Sequence, residues 1–187
     1  MGVLNRFLNA AVAAVALGAA LAPFSAVAQT ARLDELFAQL QSEDPGRVAR
    51  IERQIFAEWS KSGSAAMDLL LQRGKDALEA ENPTEAIEHL TALTDHAPDF
   101  AEGWNALAMA YFEAERYGPA LDAIRRALAL NPRHFGALAG LGRIMEELGD
   151  DQAALEAYRA AHAIHPHQSG IEAGLERLQR KTGGRDI

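Results

Sequence analysis

The chain contains no cysteine among its 187 residues. That absence excludes a disulfide framework, thiolate metal sites, a cysteine nucleophile and a lipidated cysteine anchor. Aromatic residues make up 6% of the sequence, and runs of β-branched residues are missing. Strands draw on those residue types, so the shortage argues against a β-rich fold, while abundant alanine favours helix. Positive charge is in deficit: 18 Lys and Arg stand against 26 Asp and Glu, a formal charge of −8. Such a chain repels phosphate backbones and anionic headgroups, which argues against nucleic-acid or membrane-surface partners. A glycine-rich phosphate loop, a nucleophile elbow and a zinc-protease motif are also missing, so neither an enzyme nor a cofactor is expected.

What is present begins with an N-terminal targeting pattern. Arg6 precedes an apolar stretch from Ala10 to Leu21, Pro23 breaks it, and "AVAQ" offers a small-x-small cleavage site after Ala28. The stretch is shorter than the roughly 20 apolar residues of a membrane span. Residues 1–28 are therefore expected to be a cleaved signal peptide of bacterial type, giving an exported, periplasmic protein with no membrane attachment after cleavage. Loss of Arg6 leaves 17 basic against 26 acidic residues, a charge of −9.

The second pattern is a repeat. Pro98, Pro132 and Pro166 stand 34 residues apart, and a shift by that length aligns three windows, 67–100, 101–134 and 135–168. Small residues recur at Gly74, Ala108 and Gly142, and again at Ala86, Ala120 and Ala154; large ones recur at Leu90, Ile124 and Tyr158. Each window holds two helical patterns. In the middle one, Trp104, Leu107, Ala108 and Tyr111 fall on one helical face, and Ala120, Ile124, Ala127 and Leu128 on another. Pro119 is expected as a first helical residue. Asn82 reads as an N-cap with Pro83 first and Glu85 placed for a capping box; Gly149 reads as a C-cap, and Asp150 or Asp151 as an N-cap. Each repeated proline closes a helical hairpin, because it cannot donate the ladder hydrogen bond and disfavours helix in the residue before it. A lone hairpin cannot bury its apolar face, whereas stacked hairpins can.

These windows resemble tetratricopeptide repeats. Trp104, Leu107, Ala108, Tyr111, Ala120, Ile124, Ala127 and Pro132 match every signature column of that family, and the third window matches nearly as well through Leu138, Leu141, Gly142, Met145, Ala154, Tyr158, Ala161 and Pro166. The first departs: Arg73 replaces a leucine, Ala77 a large residue and Leu93 a small one. The resemblance implies an all-α fold, a right-handed α-solenoid of stacked antiparallel hairpins. Residues 29–66 are expected as an N-terminal hairpin, either a cap or a decayed repeat. Its faces are Leu33, Leu36, Phe37 and Leu40, then Val48, Ile51, Ile55, Phe56 and Trp59. Residues 169–181, with Ile171, Leu175 and Leu178 on one face, are expected as a capping helix, and 182–187 as a tail.

In this family the first helices of the repeats line a concave groove. By resemblance, the partner-binding residues here are Leu71, Lys75, Leu78, Asn105, Met109, Phe112, Arg143 and Glu146, with Asp68, Glu102, Gly136 and Ala139 beside them. Lys75, Asn105 and Arg143 are similar in type to residues that hold a peptide's C-terminal carboxylate in some family members. The alternative for these charges is surface pairing, Lys75 with Glu79 and Arg143 with Glu146 or Glu147. His162, His165 and His167 cluster, with His134 one repeat earlier, but Pro166 interrupts the helix and no acidic ligand has defined spacing. Surface or hairpin-end histidines, and no metal site, are expected. Gly136 and Gly140, four apart within a predicted helix, either allow a close helix or ligand approach or are a weakness that a cooperative array tolerates. The expected function is non-enzymatic binding of a protein or peptide segment in the groove. The alternative is an envelope assembly scaffold that self-associates through the convex face or the ends.

Overall fold

The computed structural model describes residues 22–42 and 45–183, with side chains placed over 31–41 and 46–181. The apolar stretch Ala10–Leu21 and the last four residues lie outside the described residues. The described residues form nine helices and no strand. A first hairpin pairs α1 (Ala22–Ser42) with α2 (Pro45–Trp59). Three further hairpins follow: α3 (Ala65–Glu79) with α4 (Pro83–His96), α5 (Ala101–Glu113) with α6 (Tyr117–Leu130), and α7 (Phe135–Glu147) with α8 (Asp151–Ile164). A final helix, α9 (Ser169–Gly183), ends the array. Pro23 stands in the first turn of α1, where proline is tolerated, and that helix runs on through position 28. None of the described helices is long and apolar enough to cross a membrane.

Consecutive helices from α3 to α9 pack against one another, and the first helices of neighbouring hairpins also touch, α3 with α5, α5 with α7 and α7 with α9. This is an α-solenoid whose inner surface is made by first helices. The periodic residues explain the stacking. Ala86, Ala120 and Ala154 are all fully buried. A Cβ on Gly74 would overlap the Leu90 side chain, and one on Gly142 would fall 2.8 Å from the Tyr158 ring. Small and large columns therefore face each other, and the small residue fixes how close the helices come. Leu93, large where the repeat has a small residue, is fully buried because the next helix offers Gly103, whose Cβ would lie 3.1 Å from Leu93 Cδ2. The irregular first repeat thus keeps its packing through compensation in its neighbour.

The turns follow local chemistry. Asn82 caps α4, accepting from the Glu85 N–H at 3.3 Å, with Pro83 as first residue. The Glu85 carboxylate takes the Asn82 side-chain amide at 2.8 Å, while the Asn82 backbone N–H goes to Ala77 O, so the reciprocal half of the capping box is absent. Asp150, not Asp151, caps α8, accepting from the Ala153 N–H at 3.0 Å. Pro119 is the third residue of α6, not the first, since Tyr117 and Gly118 are already helical. The three inner turns share a left-handed residue at equivalent positions: Glu81 (φ 56°), Glu115 (φ 57°) and Gly149 (φ 78°). Gly149 takes this conformation at little cost, whereas the glutamates carry a Cβ penalty.

The N-terminal hairpin has its own core of Leu36, Phe37, Leu40, Val48, Ile51, Ile55 and Trp59, which joins the array through Phe135 and Ile164. Trp59 stacks on His134 with ring centroids 4.2 Å apart, and Phe56 meets Phe135 edge-on at 5.3 Å. Gln41 donates to the Ala163 and Ile164 carbonyls at 2.7 and 3.1 Å, closing the last turn of α8, and Asp34 pairs with Arg133. The hairpin therefore lies along the edge made by the junctions between repeats and reaches the third of them. At the opposite end, α9 buries Ile171 and Leu178, its Arg177 grips Glu146, and Lys181 reaches Asp151 at 2.6 Å.

Candidate functional site: the concave groove

The first helices enclose a cavity of 520 Å³, open to solvent and largely apolar. Its floor is Leu78, Ala106, Met109, Ala139 and Gly140, drawn from α3, α5 and α7. Met109 is 47% exposed there. An exposed methionine among small apolar residues is a surface that adapts to a partner. Phe56 from the N-terminal hairpin and Gln168 and Gly170 from the start of α9 close one side. Gly136 faces Phe56 and His134, and Gly140 faces Ile124 at 3.3 Å, so both glycines serve close helix approach as well as lining the groove.

Of the residues expected to bind a partner, Lys75, Leu78, Asn105, Met109 and Arg143 converge on this cavity. Leu71 does not: it is 3% exposed and belongs to the array's core. Phe112 stands just beyond, in a small cleft with Ile124, Gly140 and Ile144, under the Arg143 guanidinium at 4.3 Å. Glu146 is not part of the lining and sits behind Tyr158, which is. Its carboxylate receives two hydrogen bonds from Arg177, at 2.8 and 2.6 Å, and one from the Tyr158 hydroxyl at 2.9 Å. Arg177 outweighs partial burial and holds the Glu146 carboxyl below its usual range. Burial, then the bond to Glu146, pushes the Tyr158 phenol up. Glu146 is therefore spent on docking α9, a contact one repeat away that helix-face spacing does not reveal.

The polar end of the groove is organised around Glu102, which is 3% exposed. Lys75 Nζ donates to Glu102 Oε1 at 2.6 Å, and Asn105 Nδ2 to Oε2 at 3.3 Å. His134 completes the set. Its Nδ1 accepts the Ala137 N–H at 3.1 Å, capping α7, so the ring proton sits on Nε2, which donates to Glu102 Oε2 at 2.9 Å. Burial alone would raise the Glu102 carboxyl, but His134 and then Lys75 outweigh it and hold it below the usual carboxylate range. Neither expected surface pairing of the cations occurs: Lys75 takes Glu102 and not Glu79, and Arg143 approaches Glu113 at 3.6 Å and not Glu146 or Glu147.

Two of the histidines expected at the surface or at hairpin ends, His134 and His165, stand at hairpin ends and are fully buried there. His134 caps a helix, stacks on Trp59 and binds Glu102. His165 lies edge-on to Phe135 at 4.8 Å, and neither ring nitrogen has a hydrogen-bond partner. Burial, then the nearby His167, lowers its pKa to about 4. Among the described residues no group of three or more His, Asp and Glu is placed to share a metal ion.

Comparison with known proteins agrees with this architecture. The tetratricopeptide repeat family profile matches residues 71–123 and 106–169. A TPR repeat-containing protein of Rhizobium etli is 39% identical over 122 residues, which cover 65% of this chain and 60% of that protein. The chain thus spans less than two thirds of that relative's length. The Sgt2 TPR domain from Aspergillus fumigatus superposes with a TM-score of 0.63 at 22% identity, over 66% of this chain and 83% of that one. The first TPR of Spaghetti (RPAP3), solved bound to the HSP90 peptide SRMEEVD, superposes with a TM-score of 0.62 at 21% identity, over 64% of this chain and 95% of that one. With the family profile covering more than half of its residues and stacked hairpins in its structure, the chain belongs to the tetratricopeptide repeat family, whose domains are protein-interaction modules.

Proposed function

We propose that the chain is a non-enzymatic binding module of the bacterial envelope that holds an extended or helical segment of a partner protein in its concave groove. The observation that carries this reading is the 520 Å³ apolar cavity on the inner face, with Met109 47% exposed on its floor. An apolar concavity with a few fixed polar groups is where a ligand gains most from leaving water. A structural relative holds a peptide, which supports the choice of ligand class. Export rests on the N-terminal pattern of Arg6, the apolar stretch and the small residues before Ala28.

A second reading, a self-associating scaffold, draws on Leu69, Leu130 and Leu148, which are 51%, 40% and 53% exposed and lie outside the groove. They are scattered, and single exposed leucines are ordinary on soluble proteins. In-cell crosslinking followed by mass spectrometry separates the two. Groove binding requires a heterologous crosslinked partner that Met109→Ser loses and a Leu69→Ser, Leu130→Ser, Leu148→Ser variant keeps. The opposite pattern would transfer the function to the outer surface. N-terminal sequencing of the fractionated chain, with a start at Gln29, tests the export step.

A further inference from the structure

The groove's charge is distributed unevenly, and the distribution selects a class of partner. Glu79, Glu113 and Glu147 stand 34 residues apart, and each is the last residue of a first helix. Glu79 and Glu113, with Glu81, line a second cavity of 500 Å³ that shares Leu78, Glu79 and Met109 with the first. Its described lining contains three carboxylates, the apolar Leu78, Pro83 and Met109, and no cation. Glu79 and Glu81 have no ion-pair partner among the described residues, and Glu113 has Arg143 at 3.6 Å, with both side chains more than half exposed.

Two of the three donors expected in the groove are already satisfied. Lys75 and Asn105 are both turned onto the internal carboxylate of Glu102, and the third, Arg143, lies over the Phe112 ring and approaches Glu113 at 3.6 Å. An incoming carboxylate would have to displace a buried, hydrogen-bonded one and leave it without its counter-ion, which costs more than a surface pair returns. A cation arriving beside Glu79 and Glu81 meets carboxylates that have no partner to give up.

Resting on the groove reading above, we infer that the partner is a cationic amphipathic segment. One large apolar side chain sits over Leu78 and Met109, and flanking lysines or arginines reach Glu79, Glu81 and Glu113. The chain's charge of −8 adds long-range attraction for such a segment.

The test uses the purified chain and three synthetic peptides that share one leucine–phenylalanine centre. Their flanks are lysines, serines, or glutamates ending in a free carboxylate, and binding is read by fluorescence anisotropy. The lysine-flanked peptide should bind tighter than the serine-flanked one by about tenfold at low salt, and the difference should shrink as salt rises. Glu79→Lys with Glu81→Lys should remove that advantage by weakening the lysine-flanked peptide more than the uncharged serine-flanked one. Met109→Ser should weaken every peptide that binds. If the glutamate-flanked peptide binds as tightly as the lysine-flanked one and Met109→Ser weakens it, the charge inference is overturned while the groove reading stands. If no peptide binds, or Met109→Ser leaves binding unchanged, the groove reading fails and takes this inference with it. A dimer seen by light scattering that Met109→Ser dissolves would make a second copy the occupant, and also overturns it.

Discussion

The ammonium of Lys75 stands 2.6 Å from a carboxylate oxygen of Glu102, a residue that is 3% exposed. The pair bridges the first helices of two successive repeats, so it couples stacking to the character of the groove. Glu102→Gln keeps the shape and can still accept from His134, but it removes the charge that Lys75 balances. A loss of about 1–3 kcal/mol is expected, read as a lower urea midpoint with an unchanged slope. Because the Glu102 carboxyl is held below its usual range, the native protein gains stability above the ordinary carboxylate pKa and loses it as pH falls through the lowered value. The variant should therefore show a flatter acid limb. Midpoints that coincide at neutral pH would mean that desolvation cancels the pair.

Tyr158 gives a packing prediction. A Cβ on Gly142 would lie 2.8 Å from its ring and one on Gly174 2.7 Å, from two different helices. The ring is held between them, and its hydroxyl is fixed by Glu146. Gly142→Ala and Gly174→Ala should each destabilise the chain by about 1–3 kcal/mol, despite alanine's better helix propensity. Gly170 is the control. It lies in the first turn of α9, is followed by Ile171 and not by proline, and has nothing beyond its chain neighbours within 4 Å of its Cβ position, so Gly170→Ala should stabilise by about 0.5 kcal/mol. Thermal melts of the three variants check the ordering.

His165 sets a pH window. Its folded pKa of about 4 lies below the ordinary 6.5. Above 6.5 both folded and unfolded histidine are neutral and no penalty exists. As pH falls from 6.5 to about 4, the unfolded state takes up a proton that the native state refuses, and native stability declines; below about 4 the difference is constant. The Glu52 carboxylate, 3.8 Å from Nε2, is too far to bond and relieve this. His165→Leu removes the titration and two unpaired buried nitrogens. It should be neutral or stabilising at pH 7, by up to about 1 kcal/mol, and should flatten stability between pH 6.5 and 4. Denaturant melts across that range decide it; a variant as pH-sensitive as the parent would assign the window to other groups.

Much of the fold was legible because the chain repeats itself. The prolines, the small residues at Gly74, Ala108 and Gly142, and the large ones at Leu90, Ile124 and Tyr158 state which surfaces face each other. Leu78, Met109 and Arg143, taken as groove residues from the resemblance to the family, line the cavity. Lys75 and Asn105 were found as lining residues, but their partner was not. Adjacent first helices are staggered, so residue 75 meets residue 102 and not the aligned residue 109, and sequence spacing within one helix points to Glu79 instead. Leu71 and Glu146 lie outside the cavity lining, in the core and against α9, because a helix has several neighbours here and polarity does not say which one a side chain faces. Phe56, Tyr158 and Gln168 were missed as lining residues. Phe56 comes from a hairpin outside the repeat frame, whose docking on Phe135 is a long-range contact that no local pattern encodes. The burial of His134 and His165 has the same origin.

That docking is itself open to test. Trp59 is 9% exposed and touches Phe37, Phe56, His134 and Phe135, so it joins the hairpin's core to the array. The links beyond it include Phe56 on Phe135, Arg133 over the Phe37 ring, Gln41 on the end of α8, Asp34 on Arg133, and Glu52 with Gln168 at 3.4 Å. Trp59→Ala should cost about 3–5 kcal/mol of packing at this joint. The loss should be local, since the array's own clusters do not include the hairpin. Hydrogen exchange is the measurement. Amides of α2 should lose protection in the variant while those of α4 and α6 keep theirs, and Phe56 should leave the groove wall. Uniform loss of protection would instead show that the hairpin and the repeats unfold as one unit, with Trp59 part of a single cooperative core.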